Sequence, residues 1–185
     1  GANRLGSVGK PLPHVKVRLA EDGEVLIGGA PMLGYLGESP EATGWWHSGD
    51  LGEFDAEGYL YLNGRKKHQF VTSFGRNVNP EWVEAELTQR SHIAQAFVYG
   101  EAMPRNHALL WPHKPDCTDE EITAAVALAN ENLPDYAQVH QWTRLEQPFT
   151  PTNGLLTANG RPRREAILER YRHQLISSVY PEVSA

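Results

Sequence analysis

Short segments in which apolar and polar residues alternate dominate the first third of the chain. Residues 15–19 alternate in this way, and residues 24–27 follow a turn at residues 21–23. Residues 51–54 and 59–62 flank the turn segment Asp-Ala-Glu-Gly, and the second of them consists of strong strand formers. These patterns predict short strands, the last two of which form a β-hairpin.

Helical spacing of apolar residues begins after residue 67. Asn79 is a good N-cap residue and Pro80 suits the first position of a helix, so a helix is expected to begin there. Residues 118–121 form a capping-box sequence before an apolar run, and residues 163–177 have helical spacing. The apolar positions assigned to the first helix are Trp82, Val83, Leu87 and Ile93. The strand candidates are residues 68–72, 93–99, 107–111 and 138–145.

The order of these elements divides the chain into two parts. Up to about residue 65 the sequence is dense in Gly and Pro and is strand-like, whereas the remainder has the order βαββαβα. This order predicts an α+β fold, in which a β-rich segment precedes a compact unit of mixed helices and strands.

Composition and charge exclude several classes of protein. The 185 residues carry 17 basic and 23 acidic side chains, and the net charge of −6 disfavours binding to nucleic acid or to an anionic membrane. No apolar run approaches the roughly 18 residues that span a bilayer. Cys117 is the single cysteine, so no internal disulfide forms and a reducing, cytoplasmic setting is expected. The eight histidines lack metal-ligand spacing, so no metal site is predicted.

Two segments near the centre of the chain could carry chemistry. In residues 47–52 the carboxylate of Asp50 stands beside Gly49, where a short acid can accept two hydrogen bonds from a sugar diol. Taken alone, Ser-Gly-Asp is better interpreted as a tight turn. The basic cluster at residues 64–67 could hold an anion at a pivot, although an isolated cluster of this kind is more often a solvated charged segment.

Two later loops also combine small residues with cations. Residues 72–80 form a loop in which Gly75 either permits close approach to a ligand or completes a turn. Residues 151–164 form a long irregular segment that ends in arginines. Cations at the start of a helix are unfavourably placed in its dipole, which favours an anion-binding role for them.

The order and spacing of these segments resemble the adenylate-forming superfamily of acyl-CoA synthetases, peptide-synthetase adenylation domains and luciferases. The similarity covers nearly the whole chain. Residues 23–36 resemble the family's GE-(L/V)-x-(I/V)-x-G…GY segment, residues 47–52 its (T/S)GDL motif, residues 59–67 its GYLxxxGRxK/D motif and residues 133–136 its LPxY motif. Residues 70–78 and 149–157 are most similar to long-chain fatty acid–CoA ligases.

The resemblance implies a two-step reaction. A carboxylic acid, expected to be a fatty acid, reacts with ATP and Mg²⁺ to form an acyl-adenylate and pyrophosphate, and the thiol of CoA then displaces AMP. Residues 1–66 would be the β-rich end of a large AMP-binding domain and residues 67–185 a small mobile lid. Asp50 and Arg65 would hold the ribose hydroxyls, and Lys67 would be the hinge. The loop on the CoA side would consist of Ser73, Phe74, Gly75 and Arg76.

The chain departs from the family pattern in two respects. It contains neither the phosphate-binding loop nor the acyl pocket, which belong to the family's large N-terminal domain. That domain is an expected partner, and Mg²⁺ would be bound mainly by it. The chain also starts without Met, so a fragment that is inactive alone is expected. Alignment of residues 156–161 on the family's terminal motif puts Arg161 at the position of a catalytic lysine. Because arginine is planar and bulkier, weakened adenylation is expected.

The rival hypothesis is a non-catalytic module that binds adenylate, CoA or a protein.

Overall fold

The computed structural model describes residues 4–29 and 44–177. Within it the chain divides into two compact units, Gly1–Gln69 and Phe70–Ala185, which are described one at a time. The GY part of the first motif, at residues 34–35, lies outside the described residues.

The first unit is built on a four-stranded antiparallel sheet. Its strands, in the spatial order of the sheet, are β1 (Lys16–Leu19), β2 (Glu24–Gly28), β3 (Trp45–Phe54) and β4 (Leu60–Arg65). The predicted hairpin is present as β3 and β4. Its turn is closed by Asp55, whose backbone N–H donates to Tyr59 O and whose carboxylate accepts from Tyr59 N at 2.9 Å.

Strand β3 begins six residues before the predicted strand, so the Ser-Gly-Asp segment is not a tight turn. The register with β2 pairs Leu26 with His47 and Glu24 with Leu51. Three residues, 48–50, therefore face a single residue of β2 and form a bulge. Gly49 accommodates the bulge with φ of 71°, a left-handed conformation that glycine adopts without strain.

The second unit combines a short hairpin, a three-stranded sheet and three helices. The elements are β5 (Phe70–Val71), β6 (Asn77–Val78), α1 (Pro80–Thr88), β7 (Ile93–Tyr99), β8 (Asn106–Pro112), α2 (Asp119–Asn130), β9 (Val139–Arg144) and α3 (Arg164–Ser177). The sheet has the order β7-β8-β9; β7 pairs antiparallel with β8, and β8 parallel with β9. The prediction of an α+β fold is confirmed. The predicted order omitted β6, which has only two residues, and Ile93 belongs to β7 because α1 ends at Thr88.

The helix starts follow the capping chemistry of the sequence. The side-chain Oδ1 of Asn79 accepts from the backbone N–H of Glu81 at 3.1 Å, with Pro80 in the first turn. Thr118 and Glu121 form a reciprocal capping box: Thr118 Oγ1 accepts from Glu121 N, and Glu121 Oε2 accepts from Thr118 N. Both predicted starts are confirmed.

The sheet of the second unit separates two apolar clusters. Alternate residues of β7 and β8 face opposite sides, so that Val98 and Leu110 belong to one cluster and Phe97 and Leu109 to the other. The first cluster also contains buried residues of α1 and α2. The second cluster contains Phe97, Leu109, Leu145, Phe149, Leu155, Ile167, Tyr171 and Leu175, so α3 and the irregular segment before it are fixed to this face of the sheet.

A buried histidine makes the stability of the second unit depend on pH. His107 in β8 is 1% exposed, its Nε2 lies 2.9 Å from Thr143 Oγ1, and burial lowers its pKa to about 4. In the unfolded chain the imidazole takes a proton near pH 6.5, so between these values the unfolded state binds more protons and stability is lost as the pH falls. The contribution of His107 to this loss between pH 7 and pH 5 is about 2 kcal/mol, and the raised pKa of Glu84 in the same unit acts in the opposite direction over that range.

Urea unfolding at pH 5, 6 and 7 measures this dependence. His107→Gln removes the titrating group, so between pH 7 and pH 5 the variant should lose about 2 kcal/mol less free energy of unfolding than the wild type does. His140→Gln, on the exposed face of β9, is the matched control and should retain the wild-type dependence. An unchanged dependence in His107→Gln would refute the assignment.

Candidate functional site

The bulge of β3 places a carboxylate directly opposite a guanidinium. Asp50 and Arg65 are register partners on β3 and β4, and Arg65 Nε lies 2.8 Å from Asp50 Oδ1. Arg65 Nη1 also donates to the backbone oxygen of Ser48 at 3.3 Å. The side chains of Asp50 and Arg65 are 27% and 45% exposed, so both remain accessible to a ligand. The pair offers acceptor and donor atoms side by side, which is the arrangement that recognises a diol.

The buried carboxylate of Glu24 holds the residues next to this pair. Glu24 is 3% exposed, and its oxygens accept from Gly49 N at 3.0 Å and Lys66 Nζ at 2.8 Å and lie 2.9 Å from His47 Nδ1. Burial acts to raise the pKa of Glu24, but the hydrogen bonds from Lys66, His47 and Gly49 outweigh it, and the pKa is lowered. Glu24 thereby holds the residue before Asp50 and the residue after Arg65. We call Glu24 with its three partners the Glu24 network.

Lys66 connects this network to the end of the first unit. Its ammonium group also pairs with Asp22 at 2.6 Å, and the hydrogen bonds that it donates to Asp22 and Glu24 raise its pKa to about 12. Lys66 opens a single helical turn, Lys66–His68, in which Lys67 is exposed. The boundary between the two compact units follows Gln69.

The predicted CoA-side loop is the tip of the β5–β6 hairpin. Its backbone is ordered by the bonds Thr72 N to Arg76 O and Gly75 N to Thr72 O, at 3.0 and 2.9 Å. Phe74 is 75% exposed at the tip. The guanidinium of Arg76 lies 4.5 Å from the ring centroid of Tyr136, a cation–π contact. The structure therefore joins the loop to the LPxY motif, a contact that the sequence did not predict.

Arg161 lies on a narrow two-stranded turn in the second unit. Residues 155–163 run back on themselves through the bonds Thr157 N to Arg161 O at 2.8 Å and Arg163 N to Leu155 O at 2.9 Å. We call these residues the Arg161 ribbon. Arg161 is exposed near the tip of the ribbon, and within the described part of the chain its guanidinium has no hydrogen bond or ion pair. An unengaged cation on a structured turn is available to bind an anion.

The candidate residues therefore form three groups. Asp50 and Arg65 meet directly, and Lys67 follows them in the same unit. Between residues 70 and 177, no hydrogen bond or ion pair joins Arg161 to the hairpin tip. Sequence reasoning gave no role to Glu24 or to Tyr136. A signal for Glu24 did exist, because it is an acid within a strand that is otherwise apolar.

No cluster of three or more His, Cys, Asp or Glu side chains suitable for a metal ion was found among residues 4–29 and 44–177. Those same ranges contain no helix of the length and apolarity needed to cross a membrane.

Comparison with known proteins identifies the family. The sequence model for the AMP-binding enzyme C-terminal domain matches residues 67–184, and the chain belongs to this family. A long-chain-fatty-acid–CoA ligase of Mycobacterium tuberculosis, FadD15, is 32% identical over 206 residues, an alignment that covers 96% of this chain and 34% of that protein.

Solved structures of adenylate-forming enzymes are also similar. Amide bond synthetase McbA of Marinactinospora thermotolerans has a TM-score of 0.70 and 27% identity, covering 90% of this chain and 36% of that one. O-succinylbenzoate CoA synthetase of Bacillus subtilis, solved with its acyl-adenylate intermediate, has a TM-score of 0.68 and 27% identity, covering 89% of this chain and 36% of that one. The chain thus spans about a third of the length of the relatives it matches.

Proposed function

We propose that this chain is the C-terminal part of an AMP-forming acyl-CoA ligase that activates a fatty acid through an acyl-adenylate. The observation that carries the proposal is the Asp50–Arg65 pair, which is joined across β3 and β4 beside the bulge at Gly49 and stays partly exposed. Its support comes from the family match over residues 67–184 and from relatives that are named as long-chain-fatty-acid–CoA ligases.

In the first half-reaction the ribose of ATP would sit against this pair. Asp50 would accept hydrogen bonds from the two ribose hydroxyls, and Arg65 would donate to them while neutralising the carboxylate. An oxygen of the fatty acid carboxylate attacks the α-phosphorus, and pyrophosphate leaves. Arg161 would stabilise the negative charge that develops between the carboxylate and the α-phosphate.

In the second half-reaction the sulfur of CoA attacks the acyl carbon, loses its proton and expels AMP. The tip formed by Ser73, Phe74, Gly75 and Arg76 would then face the CoA side of the site. We propose that residues 67–185 form the lid that exchanges these two sets of groups and that Lys67 is its hinge. A mobile lid of this kind supplies different side chains to one bound intermediate in turn.

The remaining partners follow from the same proposal. ATP and CoA are the co-substrates, and a large N-terminal domain supplies the acyl pocket. Mg²⁺ would accompany ATP and be held mainly by that domain, and none of the roles proposed for the described residues uses the ion. A reducing, cytoplasmic setting is supported by Cys117, whose buried thiol is free.

The isolated chain is expected to form no acyl-CoA, because catalysis needs groups from both sides of the cleft. The measurement supplies ATP, Mg²⁺, CoA and a panel of fatty acids of increasing length, and it follows acyl-CoA and AMP by chromatography. The full-length protein should form both products in equal amounts. Turnover by the isolated chain would overturn the expectation.

The same assay separates the rival hypothesis. Arg161 in place of lysine favours a non-catalytic module, which would bind AMP or CoA without releasing products. Equilibrium dialysis with labelled AMP, run beside the turnover assay on the full-length protein, distinguishes the two functions. Binding without pyrophosphate release would support the module and contradict the ligase.

A further inference from the structure

The position of Arg161 depends on how the base of its ribbon is held. On one side, Leu155 is 2% exposed and packs into the apolar cluster beneath α3. On the other side, the ribbon runs into Arg164, the first residue of α3. Leu155 and Arg164 fix the base of the ribbon in the second unit, and Arg161 lies near its tip.

Three contacts tie Arg164 to the body of the unit. Its Nη1 lies 2.7 Å from Glu84 Oε1 and its Nη2 donates to Val98 O at 2.7 Å. The guanidinium also stacks over the ring of Phe97, 4.3 Å from its centroid. Glu84 completes the arrangement because Val98 N donates to the same Oε1 at 2.8 Å. Arg164 thus joins the start of α3 to both α1 and β7.

The pair is withdrawn from solvent. The side chains of Arg164 and Glu84 are 12% and 11% exposed. Burial raises the pKa of Glu84 to about 7, against the opposing effects of the Arg164 charge and the Val98 amide. A planar guanidinium is suited to this site because it can bond to the carboxylate and the carbonyl while lying flat on an aromatic ring, which an ammonium group cannot do.

Beyond its base the ribbon is not packed tightly against α1. A cavity of about 260 Å³ lies between them, lined on one side by Glu81, Ala85 and Thr88 and on the other by Leu156, Gly160 and Pro162. At the base of the ribbon Leu156 also packs against the apolar cluster, whereas the cavity separates the part near Gly160 from α1. The orientation of Arg161 is set mainly at the two anchored ends, Leu155 and Arg164.

We propose that Arg164 and Glu84 are a positioning pair that aims Arg161 at the reacting carboxylate and α-phosphate during adenylation. The inference rests on the proposed function and deepens it. Arg164 touches no substrate in this scheme and acts through the ribbon. Because the hairpin tip would replace Arg161 in the second half-reaction, the pair should affect the first half-reaction alone.

The test uses the full-length protein and measures the half-reactions separately. Pyrophosphate exchange into ATP reports adenylation, and acyl-CoA formation from supplied acyl-adenylate reports thioester formation. Arg164→Met keeps an apolar side chain over Phe97 but removes both hydrogen bonds. The expected result is a fall of about tenfold or more in kcat for exchange, with the KM for ATP and the thioester rate within about twofold of wild type.

A second variant keeps the test independent of folding. Arg164→Met leaves Glu84 buried without its partner, which can destabilise the unit. The double variant Glu84→Gln with Arg164→Met removes that buried charge, and the amide oxygen can still accept from Val98 N. It should fold and show the same selective loss of exchange. Arg170→Met is the matched control, because that arginine is exposed on α3 and lies outside the ribbon.

The outcomes separate the inference from the function on which it rests. If the wild-type protein is active and the double variant keeps normal exchange, or loses both half-reactions in parallel, the positioning role alone is overturned. A wild-type protein that performs neither half-reaction overturns the proposed function and the positioning role with it. Selective loss in both variants, with Arg170→Met unchanged, establishes Arg164 and Glu84 as a positioning pair.

Discussion

Replacing Arg161 with alanine in the full-length protein is expected to lower pyrophosphate exchange about 10²- to 10³-fold, the usual effect of removing one group that stabilises developing charge. The reason is the position of Arg161 near the tip of a structured ribbon, where its guanidinium is exposed and forms no ion pair within the described residues. Thioester formation from supplied acyl-adenylate should be nearly unchanged, since in the proposed scheme the β5–β6 hairpin tip has replaced Arg161 at that step.

Arg161→Lys tests the identity of the charged group in the same assay. Lysine is a compact point charge, whereas arginine is a broad planar fork, so the two do not present charge at the same place. If arginine limits the first step, Arg161→Lys should raise the rate of exchange. An unchanged rate would show that this position does not limit adenylation, and a normal rate in Arg161→Ala would remove Arg161 from the reaction.

The second large effect is expected at the nucleotide end of the site. Asp50→Ala should raise the KM for ATP about 10²-fold, because two charge-assisted hydrogen bonds to the ribose would be lost and Arg65 would be left without its partner. Both half-reactions should weaken, since the ribose is present in ATP and in the acyl-adenylate. This pattern differs from that of Arg161→Ala, which affects one half-reaction.

A matched control lies three residues further along the same strand. Glu53 is an exposed acid of β3, and Glu53→Gln removes one negative charge without touching the bulge. ATP titrations of the wild-type protein and of both variants measure the effect. Equal KM values for Asp50→Ala and Glu53→Gln would mean that Asp50 does not contact the nucleotide.

Local chemistry explains which elements could be predicted from the sequence. The capping box of Thr118 and Glu121 and the turn at Asp55 involve residues within a few positions of one another, so their partners are visible in the sequence. Strand β6 was missed because a two-residue pairing leaves no periodic pattern. The early start of β3 was missed because a bulge containing Ser-Gly-Asp looks like a turn until the neighbouring strand is placed.

The supporting residues of the site were missed for a different reason. Motif order indicated Asp50, Arg65 and Arg161, but the partners that hold them are distant in the chain. Lys66 meets Glu24 across 42 positions, and Arg164 meets Glu84 across 80. Pairings of this kind exist only once the fold has formed, and a single sequence carries no record of them.

The Glu24 network has a mechanical consequence for the proposed hinge. Lys66 is held by two carboxylates, and Glu24 also holds the backbone beside Asp50, so the chain is clamped up to the residue that precedes Lys67. Rotation about the backbone of Lys67 would therefore begin one residue after Lys66, which is held in place by its ion pairs. Rotation of the proposed lid would then leave the Asp50–Arg65 pair in place. The adenylate could stay bound while the catalytic groups around it are exchanged.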